Sequence, residues 1–397
     1  MFYLSVFFIL AFFAFLEVNL LAKKYLKYLE YIVGFIFITI AGLRYETGVD
    51  WRAYQDYLNS IPAFDVAILE NKLGDVFISL DLGFALLNSI VKMFGGGLQT
   101  IFFIVSVLST VLLIRNLRYY CNYVLTGLFI YYSFFFFIFD LSGLRQGLSI
   151  QIMLFSIKFI DEKKIKSFLG YILLATSIHW SSILILPLYF FLRKKMHLFF
   201  VFLLLIISLF VFLLQIKWLD AILGSLLDKL NFLALVSGKI DAYSTNETLA
   251  QTRIVDMFSI YNYVRIAVLI IICNFHSNKL SKEIKGFIIF YNFLLIELFC
   301  FFCLYEFVQI SERLRFYFFI SEVILIPHIL FLYKFYIYRY FTFFTLSIII
   351  FLNSYPYLIN AQSTTAYYPY QNYLVYKLFD ISSDGNNRLD EHERAHK

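Results

Sequence analysis

The sequence predicts an all-α, polytopic transmembrane helical bundle. Its 397 residues are 61% hydrophobic and only 15% charged, and the mean hydropathy is +0.78. Soluble chains of this length do not have such a composition, whereas long apolar runs are typical of membrane spans. Lysine and arginine are concentrated in short segments between these runs, as in cytoplasmic loops. We therefore expect about 11–13 membrane segments, each of roughly 20 residues, including a re-entrant or interfacial helix.

The first charged segment sets the predicted orientation of the chain. Residues 2–22 lack the basic start and small-residue cleavage site of a signal peptide, so they predict a retained span. Lys23, Lys24 and Lys27 follow it and are expected in the cytoplasm, which places the amino terminus outside. Residues 31–43 then lead outward to an external loop over residues 44–75. The net charge of +6 reflects this topology and does not indicate nucleic-acid binding.

Two segments are ambiguous. Residues 76–94 contain Asp81 and Lys92, and a span here would move every later basic loop outside, so we expect a re-entrant or interfacial helix. Residues 168–192 are interrupted at His179 and have basic residues on both sides. This pattern favours a broken hairpin with His179 at its tip, and a single tilted span is the alternative. A long external loop over residues 217–256 carries a polar tract at 241–247.

The predicted domains are a membrane domain over residues 1–356 and an external tail over residues 357–397. Residues 380–391 have the acidic spacing of an EF-hand loop, but Asn387 stands where a hydrophobic residue is usual. A solvated, disordered end is therefore favoured over a calcium site. We expect no cofactor and no metal site, since the chain has no P-loop, GxGxxG, HExxH or GxSxG motif. Buried thiols are the prediction for the four cysteines: Cys121, Cys273, Cys300 and Cys303.

Arginines are prominent in the segments predicted to lie outside the membrane. Arg44 follows one apolar run, Arg145 precedes another, and Arg313 and Arg315 lie in a third polar segment. A guanidinium is a planar, permanently charged fork that binds phosphate oxygens in pairs, so this grouping suits a diphosphate. The alternative is that these arginines anchor helix ends among lipid headgroups.

Asp50 and Asp81 are the candidate catalytic bases. Inverting glycosyl transfer needs one carboxylate to take the acceptor proton, and a diphosphate leaving group needs cations. Asp81 lies within an apolar segment, where an ionisable group is costly and is usually functional or paired. For both carboxylates the alternative role is an ion pair with a neighbouring cation. His179 either orients a phosphate or hydroxyl group or is a helix-breaking residue with satisfied hydrogen bonds.

Other polar and aromatic residues have two interpretations each. Arg265 and Glu297 lie within apolar runs and are expected to form a structural ion pair. Trp51, Tyr54 and the tyrosines around Tyr370 could stack on sugar rings, although aromatic belts at membrane interfaces have the same composition.

Several motifs together resemble the EpsG-like family of exopolysaccharide and O-antigen polymerases, the Wzy type. They are Gly42-Leu-Arg44-Tyr-x-x-Gly48-x-Asp50-x-x-x-Tyr54, Asp81-x-Gly83-Phe84-x-x-Leu87-Asn88, Gly143-x-Arg145-Gln146, His179-Trp-Ser and Tyr368-Pro-Tyr370-x-x-Tyr373. Two residues depart from the family pattern. Trp51 stands where a tyrosine is usual, and Asp81 replaces the more common glutamate, which weakens the case for Asp81 as the base.

The resemblance implies a GT-C-like, inverting glycosyltransferase in the bacterial inner membrane, with its active site facing the periplasm. It would transfer a growing glycan from undecaprenyl diphosphate to another lipid-linked repeat unit, with a chain-length regulator as a candidate partner. The expected site residues fall into two groups. The catalytic group is Asp50, Arg145 and His179, and the substrate-binding group is Arg44, Tyr54, Asp81, Gln146, Arg313, Arg315 and Tyr370.

Two other functions stay open. A lipid-linked sugar flippase would distribute charged residues along its spans to line a path, whereas here they are concentrated near the expected outer ends, which favours an enzyme. An O-antigen ligase would use the same donor and differ only in its acceptor, which the sequence does not distinguish.

Overall fold

The all-α class is confirmed by a computed structural model of the chain. It describes residues 2–18, 23–77, 81–219, 222, 253–332, 335–358 and 362–395. The polar tract at 241–247, in the expected long external loop, lies outside the described residues. Within these ranges the regular elements are helices, and the one β-type pairing is an isolated bridge between Arg44 and Asn372. The chain divides into two compact units, Met1–Leu186 with Val323–Lys397, and Pro187–Glu322.

The first unit contains helices from both ends of the chain. They are α1 (Phe2–Val18), α2 (Lys23–Gly42), α3 (Trp51–Ser60), α4 (Phe64–Leu69), α5 (Leu73–Phe77), α6 (Leu82–Met93), α7 (Leu98–Tyr120), α8 (Val124–Tyr131), a π-helix (Tyr132–Asp140), α9 (Leu144–Asp161) and α10 (Ile165–Ile178). A 3-10 helix, Trp180–Phe190, follows α10.

The remaining helices are α11 (Leu198–Leu213), α12 (Met257–Phe275), α13 (Ser277–Glu283), α14 (Phe287–Cys303), α15 (Val308–Phe319), α16 (Ser321–Leu330), α17 (Tyr336–Leu358), a 3-10 helix (Gln362–Tyr367), α18 (Tyr373–Leu378) and α19 (Gly385–Ala395). Residues 323–330 of α16, the whole of α17 and all later elements belong to the first unit.

Four described helices are long and apolar enough to cross a membrane. They are Lys24–Gly42, Leu98–Tyr120, Met257–Phe275 and Ile337–Leu358. The pair α13 and α14 is bent by 119° and together passes the same test. Shorter apolar helices, such as α1 and α11, also fit a membrane protein. A multi-pass membrane protein is therefore the architecture that both composition and structure support.

The core of the first unit is aromatic. Tyr3, Tyr131, Tyr132, Phe135 and Phe136 are all fully buried where α1 and α2 meet α8 and the π-helix. Aromatic side chains bury large areas and prefer offset or edge-to-face contacts, so a phenylalanine-rich segment forms a dense interior. The run of four phenylalanines at 134–137 is therefore mainly core.

Both ambiguous segments have a clear local structure. α6 has only 12 residues, which is shorter than the roughly 20 residues of a span. Lys92 near its end donates to the carbonyl of Leu58 at 3.1 Å, so this end of α6 is held to the end of α3. The break in the later segment falls at His179, whose backbone is extended between α10 and the 3-10 helix.

The C-terminal residues differ from the expectation of a disordered end. The last seven positions of the EF-hand-like pattern, residues 385–391, are helical and belong to α19. Arg388 and Leu389 on this helix are buried, so apolar and polar contacts order a segment that is polar in composition. In the described part of the chain, no group of three His, Cys, Asp or Glu side chains could hold a metal ion.

The second unit contains a buried cluster of charged side chains. Arg265 pairs with Glu322, and its Nη2 lies 3.6 Å from Oε1 of Glu297. The expected Arg265–Glu297 pair is therefore present, but the closer partner is Glu322. Arg315 pairs with Glu312 at 2.9 Å, and Arg253 contacts the same carboxylate. Ion pairing offsets part of the large cost of burying these charges.

Candidate functional site: a loop, a helix cap and a buried carboxylate

The loop between α2 and α3 makes a close approach that only glycine permits. Gly48 has a φ of +102°, and a Cβ placed there would lie 1.7 Å from the carbonyl oxygen of Leu141. The next residue, Val49, donates its N–H to Oγ of Ser142 at 3.0 Å. The loop over residues 43–50 is thereby held against the turn between the π-helix and α9, which brings Asp50 and Arg145 into the same region.

The C-terminal tail also contacts this loop, through backbone hydrogen bonds. The N–H of Tyr45 donates to Gln371 (2.8 Å), the N–H of Tyr373 to Leu43 (2.7 Å) and the N–H of Gly48 to Ala366 (2.9 Å). The first two bonds belong to the isolated bridge between Arg44 and Asn372, and the third reaches the 3-10 helix Gln362–Tyr367. All three join segments that are more than 300 residues apart. The tail is thus a structural part of the loop.

Arg44 lies inside this arrangement and is fully buried. Its Nη1 donates to the carbonyl of Asp140, and its guanidinium lies 4.0 Å from the ring centroid of Phe102. Its Nε and Nη2 have no hydrogen-bond partner. Burial lowers the pKa of Arg44 to about 10, so it remains a cation at neutral pH. It supplies a buried positive charge with unsatisfied donors beneath the loop.

Asp81 is the centre of a second cluster. It precedes α6 and is buried. Its Oδ2 accepts a hydrogen bond from Nη1 of Arg145 at 2.7 Å, and its Oδ1 accepts one from the backbone N–H of Trp180 at 2.9 Å. Nδ1 of His179 lies 3.6 Å from Oδ2. One carboxylate therefore joins the start of α6, the start of α9 and the break after α10.

The charge state of Asp81 follows from these contacts. Burial on its own would raise the pKa of Asp81, but the contact with His179, the hydrogen bond from Trp180 and the positive charge of Arg145 hold its pKa below the usual value. Asp81 is therefore ionised at neutral pH and pairs with Arg145 as a carboxylate. Both of its oxygens are engaged, which leaves it poorly placed to act as a base.

Three aromatic rings surround the guanidinium of Arg145. The ring centroids of Tyr54, Tyr57 and Phe84 each lie 5.7 Å from its Cζ, within the range of cation–π attraction. The side chain of Arg145 is still 36% exposed, so one part of the fork pairs with Asp81 while another part reaches the surface. Burial together with the negative charge of Asp50 raises the pKa of Tyr54 to about 12, which keeps this phenol protonated.

A chain of ring contacts joins the two arginines. Arg44 lies over Phe102, the ring centroids of Phe102 and Tyr54 are 6.2 Å apart, and Arg145 lies near Tyr54. The structure thus brings together five of the predicted residues: Arg44, Tyr54, Asp81, Arg145 and His179. The two ring nitrogens of His179 lack hydrogen-bond partners, and its side chain is only 11% exposed.

Three other predicted residues lie around this group. Asp50 immediately precedes α3 and is half-buried, and its charge acts on both Tyr54 and Arg44. Gln146 follows Arg145 in the first turn of α9. Tyr370 donates its hydroxyl towards the carbonyl of Ile40 at 3.1 Å and stacks on Phe2. In this conformation Tyr370 therefore contacts the end of α2, so its predicted sugar contact stays a prediction.

Arg313 and Arg315 belong to the second unit. Arg315 is buried in the ion-pair cluster described above, with its guanidinium 4.5 Å from the ring centroid of Phe301. Its Nε and Nη1 lack hydrogen-bond partners. Arg313 lies on the exposed side of α15. Their substrate contacts also stay a prediction.

Sequence reasoning did not identify Arg388. This side chain on α19 is buried, and it donates to Glu46 (3.0 Å), to Pro369 (3.0 Å) and to Asp384 (2.8 Å). The only signal in the sequence was an arginine within a polar tail, which is too common to single out. Phe84 belongs to one of the motifs, but its role beside Arg145 depends on how α6 packs.

Comparison with known proteins gives one match. The sequence model of the EpsG family matches residues 27–372, which include every predicted site residue. No curated protein and no solved structure matches the chain. The family indicates a membrane protein of the exopolysaccharide or O-antigen polymerase type, similar to glycosyltransferases. Because the match extends over nearly the whole chain, the protein belongs to the EpsG family.

Proposed function

We propose that this protein is a polysaccharide polymerase that uses undecaprenyl-diphosphate-linked glycans. It transfers the growing glycan onto the terminal sugar of another lipid-linked repeat unit, with inversion at the anomeric carbon. The observation that carries the proposal is the cluster around Asp81, which holds a partly exposed arginine and a histidine with unsatisfied nitrogens side by side. A cation for the leaving group and a base for the acceptor are the two parts that the reaction needs.

Arg145 is the proposed ligand of the donor diphosphate. Its Nη1 is held by Asp81, and a guanidinium has five N–H donors in a fixed fork. The donors that face the surface can therefore take phosphate oxygens while Asp81 fixes the orientation of the fork. Positive charge at this position stabilises the diphosphate as the bond to the sugar breaks. Arg44 adds a second positive charge behind it.

His179 is the proposed base. Nδ1 faces the Asp81 carboxylate at 3.6 Å, and the other ring nitrogen, Nε2, is buried without a hydrogen-bond partner, so we assign Nε2 to the acceptor hydroxyl once substrate enters the site. The hydroxyl oxygen forms its bond to the anomeric carbon, the bond from that carbon to the phosphate oxygen breaks, and undecaprenyl diphosphate leaves with the electron pair. The hydroxyl proton moves to Nε2, and Asp81 stabilises the imidazolium. Asp50 is placed to position the acceptor and is the alternative base.

The proposed location is the periplasmic face of the bacterial inner membrane. The candidate site lies at the start of α7 and α9, and the basic residues Arg115, Arg118, Lys163 and Lys164 lie at or just beyond the opposite ends of these helices. The positive-inside rule places such basic ends in the cytoplasm, so the site faces the other side. Lipid-linked oligosaccharides and a chain-length regulator are the proposed partners.

Substitution of Arg145 tests the site. In a deletion strain, we expect Arg145→Ala to abolish long polymer on a polysaccharide gel at normal membrane abundance. Arg145→Lys should recover little, because a lysine does not reproduce the planar fork. Arg52→Ala is the matched control, since Arg52 belongs to the same loop region but pairs with Asp390 at the surface. Polymer of normal length from Arg145→Ala would remove Arg145 from the site.

Reconstitution tests the reaction itself. Purified protein in liposomes with a lipid-linked repeat unit should extend the glycan and release undecaprenyl diphosphate. Movement of the lipid between leaflets without bond formation would instead identify a flippase. Transfer only to an added lipid A core would identify a ligase. Either of these two results would contradict the polymerase proposal.

A further inference from the structure

Two adjacent cavities lie beside α2 and the C-terminal half of α7, away from the candidate site. Position 115 follows position 102 by thirteen residues on α7, about 20 Å along the helix axis. The larger cavity has a volume of about 480 Å³ and lies between α2 and α7. The smaller has a volume of about 260 Å³ and lies between α7 and α9. Arg115 and Arg118 line both cavities, so the two are adjacent.

The larger cavity is an apolar groove. Its lining includes Phe35, Ile38, Val111 and Ile114, with Gly34 at one wall. A Cβ at Gly34 would lie 2.8 Å from Cδ1 of Ile114, so α2 and α7 approach closely at this point. Val111 and Phe35 are exposed, as expected for side chains that face lipid. The groove therefore offers an alkyl chain a surface on both helices.

The smaller cavity is cationic and lined by aromatic rings. Arg115 and Lys158 both lie over the ring of Phe155, with centroid distances of 4.6 Å for the guanidinium carbon and 3.7 Å for the ammonium nitrogen. Arg118 completes the set and is held by Glu30 at 2.6 Å. Two cations on one ring repel each other, and an anion between them would remove this repulsion.

The local charge balance is positive. Glu30 neutralises Arg118, and the nearby carboxylate of Glu162 pairs with Lys164 at 2.8 Å. Within the described ranges, no ion pair joins Arg115 or Lys158 to a carboxylate. Of the three cations that line the smaller cavity, Arg118 alone is ion-paired within the described ranges.

We propose that these adjoining cavities bind one anionic phospholipid of the cytoplasmic leaflet. Its phosphate lies against Arg115 and Lys158, and one acyl chain runs along the groove between α2 and α7. Basic pockets between transmembrane helices on the cytoplasmic side suit such headgroups. The apolar groove favours a lipid over a free phosphate, because only a lipid would use both cavities. This inference does not depend on the proposed polymerase reaction.

Native mass spectrometry of the purified full chain tests the proposal. The probes are dioleoyl phosphatidylglycerol, dioleoyl phosphatidylcholine and glycerol phosphate. We expect one phosphatidylglycerol to stay bound at concentrations where phosphatidylcholine does not, and glycerol phosphate to leave it in place. Arg115→Gln with Lys158→Gln should weaken binding by about fivefold for each lost charge. Val111→Trp, which fills the groove from its exposed side, should also weaken it.

Matched controls keep the test specific. Lys166→Gln removes an exposed charge of α10, and Leu173→Trp enlarges an exposed apolar residue of the same helix. Both should bind phosphatidylglycerol as the wild type does. Lipid-free melting temperatures identify any variant that fails to fold. Equal affinity in the wild type and the Arg115/Lys158 double variant would overturn the site, and displacement by glycerol phosphate would overturn a lipid as its occupant.

Discussion

At the scale of single residues, the contacts of Asp81 indicate what its carboxylate does. The sequence presents it as one of two candidate bases, in a position where the family more often has glutamate. In the structure its two oxygens serve Arg145 and Trp180, and His179 lies beside it. A carboxylate in this position orients two other side chains. We therefore treat Asp81 as a positioning residue.

The pH dependence of stability tests this role. Because the pKa of Asp81 is lower in the folded protein than its unfolded value of about 4, its pairing adds stability above that pH. This contribution is lost as the pH falls through the folded-state pKa. Asp81→Asn should therefore lower the melting temperature at pH 7, and the difference from wild type should shrink below about pH 4.

Melting curves of both proteins in detergent over a pH series measure this difference. A gap that is unchanged or larger at pH 3 would contradict the ionised pairing. We also expect Asp81→Asn to reduce polymer formation, since Arg145 and His179 both lose the negative charge that holds them.

At the scale of elements, the tail and the loop behave as one structure. The C-terminal segment pairs with residues 43–48, and α19 places Arg388 beneath Glu46. Glu46 has a φ of +44°, a conformation that costs a non-glycine residue energy and persists where its surroundings impose it. The hydrogen bond from Arg388 to the Glu46 carbonyl is one such constraint. The tail thus acts on the candidate site through the backbone of the loop.

Arg388→Ala tests this coupling. A hydrogen bond from a charged group contributes about 1.5–3 kcal/mol, so loss of the bond from Arg388 to Glu46 should destabilise the loop by roughly that amount, and loss of the bonds to Pro369 and Asp384 should destabilise the tail. Hydrogen exchange at the amides of residues 45–49 should become faster, and polymer formation should fall. Arg394→Ala, an exposed position on the same helix, is the matched control. Unchanged exchange in Arg388→Ala would separate the tail from the site.

At the scale of the whole molecule, the two units are built differently. The first has an aromatic core and carries the candidate site. The second buries Arg253, Arg265 and Arg315 with three glutamates. Several atoms of this cluster lack hydrogen-bond partners, among them both carboxylate oxygens of Glu297. Such a cluster makes the second unit sensitive to any change in its charge balance.

Glu322→Gln tests this sensitivity. Arg265 would keep only its more distant partner, Glu297 at 3.6 Å, and loss of one partner from a buried ion pair costs about 3–5 kcal/mol. The melting temperature of Glu322→Gln should therefore fall clearly. The triple variant Glu322→Leu with Arg265→Met and Glu297→Leu should fall less, because it removes the guanidinium together with both carboxylates that pair with it. Arg52→Ala, which breaks an exposed pair, should cost about 1 kcal/mol at most. A triple variant that is less stable than the single one would contradict this account.

Much of the fold could be predicted, because it follows from apolar runs and their interruptions. The break at His179 and the short helix after Asp81 both appear where polar residues interrupt hydrocarbon. The tail could not be predicted: its composition is that of a solvated end, and its order comes from contacts with a loop more than 300 residues away. The residues that gather around Asp81 are ones that the motifs mark, whereas Arg388 has no local signal.

The sequence by itself determined that this is a helical membrane protein of the EpsG type, since hydrophobic runs must be buried in lipid and its motifs lie at their ends. Only the tertiary structure decided which partner each charged side chain contacts. Arg145 pairs with Asp81, Arg44 donates to the backbone carbonyl of Asp140, and the tail forms backbone hydrogen bonds with the loop. Such pairings depend on distances of a few ångströms between segments that are remote in the chain, and these distances are set by helix packing.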